Sequence, residues 1–198
     1  LVEEVEFVSE GAGAAKNYFI EGVFLQSNIK NKNGRLYPKE IMKKEVGRYM
    51  KEYVDSKRAF GELGHPEGPG INLDRVSHLN VGLRKEGSVW IGKAKILDTP
   101  MGQLLKSLVK DTIQMGISTR GLGNLTESSS GKQVSNFHLI CLDVVHQPSV
   151  ENAMLESVLE SREWLIGTDG RIIEVSVDAF NTLKSNISRI PKHDSDIF

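Results

Sequence analysis

Gly116-Ile117-Ser118-Thr119-Arg120-Gly121-Leu122-Gly123 sets one serine between two glycines, with an arginine two residues on. The stretch follows an amphipathic helical pattern and opens with β-branched residues, so Ser118 is read at a helix exit and the start of a short strand. Gly121 and Gly123 either free the backbone to present N–H groups to an oxyanion or simply make a tight turn. Arg120 would add positive charge there. A serine hydroxyl is a poor nucleophile until a neighbouring base takes its proton, so the rest of the chain is read for a base and an orienting acid.

Upstream, residues 1–16 are acidic and then Gly/Ala-rich, and read as a flexible lead-in. Residues 18–25 are aromatic and β-branched, a strand pattern. Asn33-Gly34 is a turn signal. Pro38 suits a first helical turn, and Ile41, Met42, Val46, Tyr49, Met50, Tyr53 and Val54 follow at helical spacing, predicting a helix over 38–55. Residues 61–70 read as a Gly/Pro loop. Residues 76–83 and 89–97 read as two strands, the second with Trp90, Gly92, Ala94 and Ile96 on one face. Thr99-Pro100 starts a helix whose apolar stripe is Leu104, Leu105, Leu108, Val109 and Ile113, ending at Gly116. Residues 127–132 read as an exposed mobile loop and 137–145 as a strand. Beyond 151 the pattern gives a helix, a hairpin over 163–175 turning at Asp169-Gly170, and a second helix through Val177, Phe180, Leu183 and Ile187.

Two segments supply partners for the serine. Gly61-Glu62-Leu63-Gly64-His65-Pro66-Glu67 holds a histidine that the following proline biases toward extended backbone. Leu142-Asp143-Val144-Val145-His146-Gln147-Pro148-Ser149 holds an aspartate in an apolar strand. A buried carboxylate is costly unless paired, so Asp143 needs either a salt-bridge partner or an imidazole. His138 and His146 flank the same strand and could replace it as a third member. The order His, Ser, Asp matches none of the chymotrypsin, subtilisin and α/β-hydrolase orders. A metal-dependent reading would use Glu62, His65 and Glu67, whose spacing fits no familiar metal signature.

Four segments in order then carry a resemblance: Asn31-Lys32-Asn33-Gly34-Arg35-Leu36-Tyr37-Pro38-Lys39, Gly61-Glu62-Leu63-Gly64-His65-Pro66, the Gly116–Gly123 stretch, and Asp143-Val144-Val145 followed by Pro148-Ser149. The chain resembles the prohead maturation proteases of tailed bacteriophages, in the T-even-type branch. The resemblance implies an α+β fold, a small mostly antiparallel β-barrel surrounded by helices, of the herpesvirus-assemblin type. It implies a serine endopeptidase with His65 as general base, Ser118 as nucleophile and Asp143 as the acidic third member. Arg120 and Gly121 are expected at the oxyanion and substrate. No metal or other cofactor is expected.

The same resemblance implies scaffold and major capsid proteins as substrates, self-association, and a place inside the assembling prohead in the host bacterial cytoplasm. It implies self-processing and cleavage after glutamate, for which Val8-Ser9-Glu10-Gly11 and Phe19-Ile20-Glu21-Gly22 are matching strings. Arg35, Arg75 and Arg120 are candidates to hold the glutamate. The expected organisation is a flexible segment 1–16, a protease domain 17–153 and a C-terminal helical and hairpin extension 154–198 of unassigned role. The competing reading is a non-enzymatic structural component of phage assembly, a scaffold or tube-like β-barrel protein.

Bulk properties narrow the rest. With 198 residues the chain is long enough for one well-buried core. A formal net charge of -1 gives no basic surplus of the kind that drives phosphate-backbone binding, so no nucleic-acid partner is expected. The single cysteine, Cys141, can form no intrachain disulfide and sits in an apolar run, as a small buried hydrophobe does. No run approaches the ~20 apolar residues of a membrane span, so no membrane partner is expected.

Overall fold

The computed structural model of the chain describes residues 6–10, 17–31, 34–66, 68–111, 113–128, 131–146, 162–166 and 172–176. They fall in two compact units, Leu1–Ser157 and Val158–Phe198. The described part is mostly β with few helices.

In the first unit, β1 (Glu6–Glu10), β2 (Asn17–Gln26), β4 (Phe60–Glu62), β5 (Val76–Glu86) and β6 (Val89–Ile96) form a sheet in the order β1-β2-β6-β5-β4. A second sheet has the order β3-β8-β7, from β3 (Arg35–Leu36), β7 (Gly116–Ser128) and β8 (Gly131–Val145). Pairing is antiparallel except for β3 on β8. One parallel bridge, Leu63 to Val144, joins the end of β4 to β8. On its other side β7 packs against β2. The described strands therefore pair as two sheets joined by that bridge.

Strand β6 shows the expected alternation, with Trp90, Gly92, Ala94 and Ile96 turned into the core. Gly92 must be glycine: a Cβ there would lie 2.0 Å from the Phe24 ring that crosses it. Helix α1 (Lys39–Tyr49) continues as a π-helical turn over Met50–Val54, close to the expected span. It buries Met42, Val46 and Tyr49. It also buries Glu45, which apolar spacing does not anticipate. The Glu45 carboxylate accepts the Leu139 N–H at 2.9 Å, and Arg48 donates to the Leu139 carbonyl at 2.6 Å. Strand β8 bulges at this point, where the register steps from Arg120–Cys141 to Gly121–Leu139. Buried peptide groups released from a ladder need other partners, and the Glu45–Arg48 pair supplies them.

Several expectations are corrected. The lead-in contains β1, paired along β2 from Glu6–Glu21 to Glu10–Asn17. The 61–70 loop begins with β4, which pairs with β5. Helix α2 (Pro100–Lys110) stops well before Gly116, leaving Ile113 outside it and exposed. Of its expected stripe, Leu105 is buried and Leu104 is exposed. Thr99 caps it, its hydroxyl accepting from Gly102 N. The 127–132 segment is a hairpin end, with Ser128 opposite Gly131 and Gly131 at φ +113. In the second unit, β9 (Arg162–Ile166) and β10 (Ile172–Ser176) pair antiparallel, as the expected hairpin does. The two helices expected beyond 151 lie outside the described residues.

Glu45→Ala leaves a buried Leu139 N–H without its acceptor. It is expected to lower unfolding free energy by about 2 kcal/mol, read as a lower denaturant midpoint at unchanged slope.

Candidate active site

Ser118 on β7 and Asp143 on β8 are direct cross-strand partners. Directly opposed residues carry their side chains on one sheet face, roughly 5 Å apart at Cβ. Both residues are fully buried. His65 arrives from the first sheet. The Leu63–Val144 bridge and a 2.7 Å hydrogen bond from Gly64 N to the Val144 carbonyl bring the end of β4 onto β8. Gly64 then turns the chain at φ +81, a backbone that glycine adopts without a Cβ penalty.

The three side chains form one hydrogen-bonded line. His65 Nδ1 lies 3.0 Å from Asp143 Oδ2, and His65 Nε2 lies 2.6 Å from Ser118 Oγ. The tautomer follows from chemistry: an ionised carboxylate only accepts, so Nδ1 carries the proton and Nε2 accepts the serine O–H. That is the protonation a general base requires.

Asp143 is held by more than the imidazole. Oδ1 accepts Glu62 N at 2.9 Å and Arg120 Nη2 at 3.1 Å, and Oδ2 accepts Arg120 Nε at 3.0 Å. Burial alone would raise its pKa. The His65 hydrogen bond, the Arg120 charge and the Glu62 N–H together hold the carboxyl below the usual aspartate range. The sequence reading left a salt bridge and an imidazole open as partners of Asp143, and the geometry supplies both.

Arg120 is placed differently from the expectation. Its guanidinium turns inward to Asp143 and Glu62, and Nη1 donates to the Gly68 and Gly70 carbonyls at 3.1 and 2.7 Å. It is a buried counter-ion spent on the interior, so its side chain does not face an oxyanion or a substrate glutamate. Gly121 is required by packing, since a Cβ would lie 2.6 Å from the Phe137 ring. Neither alternative third member reaches His65. His138 lies 3.9 Å from Glu45, and His146 is exposed past the end of β8. Of the metal-dependent candidates, Glu62 faces cations: its carboxylate accepts from Arg120, from Arg75 Nε at 3.2 Å and from Asn72 N at 2.8 Å. Glu67 lies outside the described residues.

Two neutral groups complete the surroundings. Burial pushes the Cys141 thiol well above its ordinary value, with Asp143 adding to the effect, so it stays protonated. His78, missed by the sequence reading, is fully buried and pushed down by that burial. Its Nε2 donates to the Leu142 carbonyl at 2.9 Å and its Nδ1 accepts from Ser77 at 2.9 Å. Gly61 makes room for it, since a Cβ there would lie 2.1 Å from His78 Nε2. Parity gave little warning, because Ser77 between Val76 and His78 is fully buried as well.

Known proteins resemble this chain in sequence and in fold. Residues 2–163 match the family model described as prohead core protein serine protease. The chain is 34% identical over 146 residues to the prohead core protein protease of Enterobacteria phage T4, covering 71% of this chain and 69% of that protein. The solved structure of the bacteriophage T4 capsid assembly protease superposes with a TM-score of 0.67 at 28% identity, over 72% of this chain and 93% of that one.

Because the folded state depresses Asp143, its stabilising contribution is complete above the unfolded aspartate value near ~pH 4 and is lost as pH falls through the lower folded value. Wild-type melting temperature is expected to fall steeply below about pH 4. Asp143→Asn is expected to be less stable at neutral pH and to show a shallower acid slope, measured by thermal melts across pH.

Proposed function

This chain belongs to the prohead core protein serine protease family, and we propose that it is a serine endopeptidase with Ser118 as nucleophile, His65 as general base and Asp143 as the group that orients His65. The observation that carries the proposal is the 2.6 Å and 3.0 Å line from Ser118 through His65 to Asp143. Ser118 Oγ attacks the peptide carbonyl as His65 Nε2 takes its proton. His65 then returns that proton to the leaving amine, and water repeats the sequence on the acyl-enzyme. Backbone amides near Arg120 and Gly121, where the β7–β8 register shifts, stabilise the oxyanion. The two bridged sheets, with β7 packed on β2, support reading the fold as the small barrel of the assemblin type.

The substrates are scaffold and major capsid proteins, cut inside the assembling prohead in the host bacterial cytoplasm. No helix among the described residues is long and apolar enough to cross a membrane. Cleavage follows glutamate. Of the three arginine candidates, Arg120 is buried, and Arg35 pairs at the start of β8, roughly 35 Å along the strand from Asp143 at ~3.3 Å per residue. Arg75 is 42% exposed and donates to the Leu63 carbonyl beside the His65 segment, which favours it as the glutamate contact.

Self-processing is proposed between Glu10 and Gly11, where β1 ends. Glu21 is paired to β1 and β6 on both sides, which protects it. Ser118 is closed off from solvent in this conformation, so a substrate reaches it only after neighbouring chain gives way.

Ser118→Ala is expected to reduce cleavage of scaffold or capsid substrate by roughly 10⁴-fold or more and to abolish labelling by a serine-directed covalent probe. Undiminished cleavage by the variant, or no labelling of an active wild type, would overturn Ser118 as the nucleophile, and a wild type that neither cleaves nor labels would return the chain to a structural role in assembly. Mass spectrometry of incubated wild type is expected to show a new N-terminus at Gly11, absent from both Ser118→Ala and Glu10→Gln.

A further inference from the structure

Arg120 meets Asp143 as a bidentate fork, Nε to Oδ2 at 3.0 Å and Nη2 to Oδ1 at 3.1 Å. Such a pair is strong and specific in geometry. It is also neutral as a unit, and a neutral pair does little to stabilise an imidazolium. General-base catalysis by His65 asks for an anion behind the ring when the ring takes the serine proton.

A second carboxylate supplies it. Glu62 is fully buried and accepts from Arg120 Nη2 at 2.9 Å, so one guanidinium nitrogen bridges both acids. The other groups facing His65 and Asp143 carry no compensating buried charge. Ser118 is neutral, and burial keeps the Cys141 thiol protonated and His78 uncharged. Arg75 reaches Glu62 from a half-exposed position, where solvent screens it. The fixed buried charges are therefore two carboxylates against one guanidinium.

We propose that Glu62 is a positioning residue of the catalytic centre: drawing on Arg120, it leaves Asp143 an effective anion for His65, while its backbone N–H holds Asp143 Oδ1. The inference rests on the catalytic reading of Ser118, His65 and Asp143. Its geometry is over-determined. Asn72 N and Arg75 fix the Glu62 carboxylate, and the Gly68 and Gly70 carbonyls fix the far side of Arg120. A purely structural ion cluster would affect melting alone. A positioning role also moves the pH profile, with a sign that depends on which charge is removed.

The test is the pH profile of kcat/KM for Glu62→Gln, Arg120→Gln and the double variant, with melting temperatures alongside. Removing the Glu62 charge disfavours the imidazolium, so the acid limb is expected to move down by roughly one pH unit while kcat falls more than KM changes. Arg120→Gln is expected to move the limb up, and the double variant to return it close to wild type. An unmoved limb in folded Glu62→Gln overturns the proposal. If that variant does not fold, identical limbs in Arg120→Gln and the double variant overturn it. The His65 ring titration, followed by NMR in a Ser118→Ala background, gives a readout without turnover. A midpoint indifferent to Glu62→Gln sinks this inference alone, whereas an active Ser118→Ala sinks the catalytic reading of Ser118 on which it rests.

Discussion

A carboxylate sealed from water at the junction of two sheets governs the architecture around it. An unpaired buried anion would cost more than a domain of this size can spare. Asp143 is instead held by N–H groups from β4, from the loop after it and from β7. Each donor ties its own segment to β8. The Glu62 amide anchors the end of β4, the imidazole anchors the loop, and the guanidinium anchors β7 and reaches on to the 68–70 turn. The Leu63–Val144 bridge adds a backbone link at the same place. The junction between the two sheets is thus closed where the candidate catalytic groups meet.

Around that seam the interior is polar. Glu62, His78, Asn80, Ser118, Arg120 and Asp143 are all buried. Glu62, Arg120, Asp143 and, through His65, Ser118 share one hydrogen-bonded network, while His78 bonds Ser77 and the Leu142 carbonyl and Asn80 donates to Tyr49 and the Ala59 carbonyl. In such surroundings charges act on one another with little screening. The same burial that makes Asp143 expensive makes its pull on a neighbouring imidazole effective.

What was legible in the sequence was local. The alternation of β6, the stripe of α1 and the Thr99-Pro100 helix start all follow from short-range spacing, and the structure has them. What was lost depends on distant partners. Strand β4 is three residues long and reads as loop until β5 is beside it. Glu45 looks like a misplaced polar residue until the Leu139 bulge is known. The polar 127–132 segment hides a hairpin end. Ser118, His65 and Asp143 stand together as candidates on residue chemistry alone, and the family resemblance gives each its role. Arg120 reads in the sequence as a group for the oxyanion or a substrate glutamate, and its guanidinium instead faces Asp143 and Glu62. Ser118 and Arg120 are two apart on one strand and so share a face, as do Cys141 and Asp143 opposite them. That parity, combined with the need of Asp143 for a cation, would have paired Arg120 with it.

The long β7–β8 hairpin separates two kinds of constraint. At the open end, Ser118 faces Asp143 in a register pinned by side chains from other segments. At the tip, Ser128 faces Gly131. Because a slip of one residue would send Ser118 and Asp143 to opposite faces, the open end tolerates neither insertion nor deletion. The tip has no such obligation. Foreign sequence grafted there lies at the far end of the hairpin from Ser118 and Asp143 and leaves their register untouched.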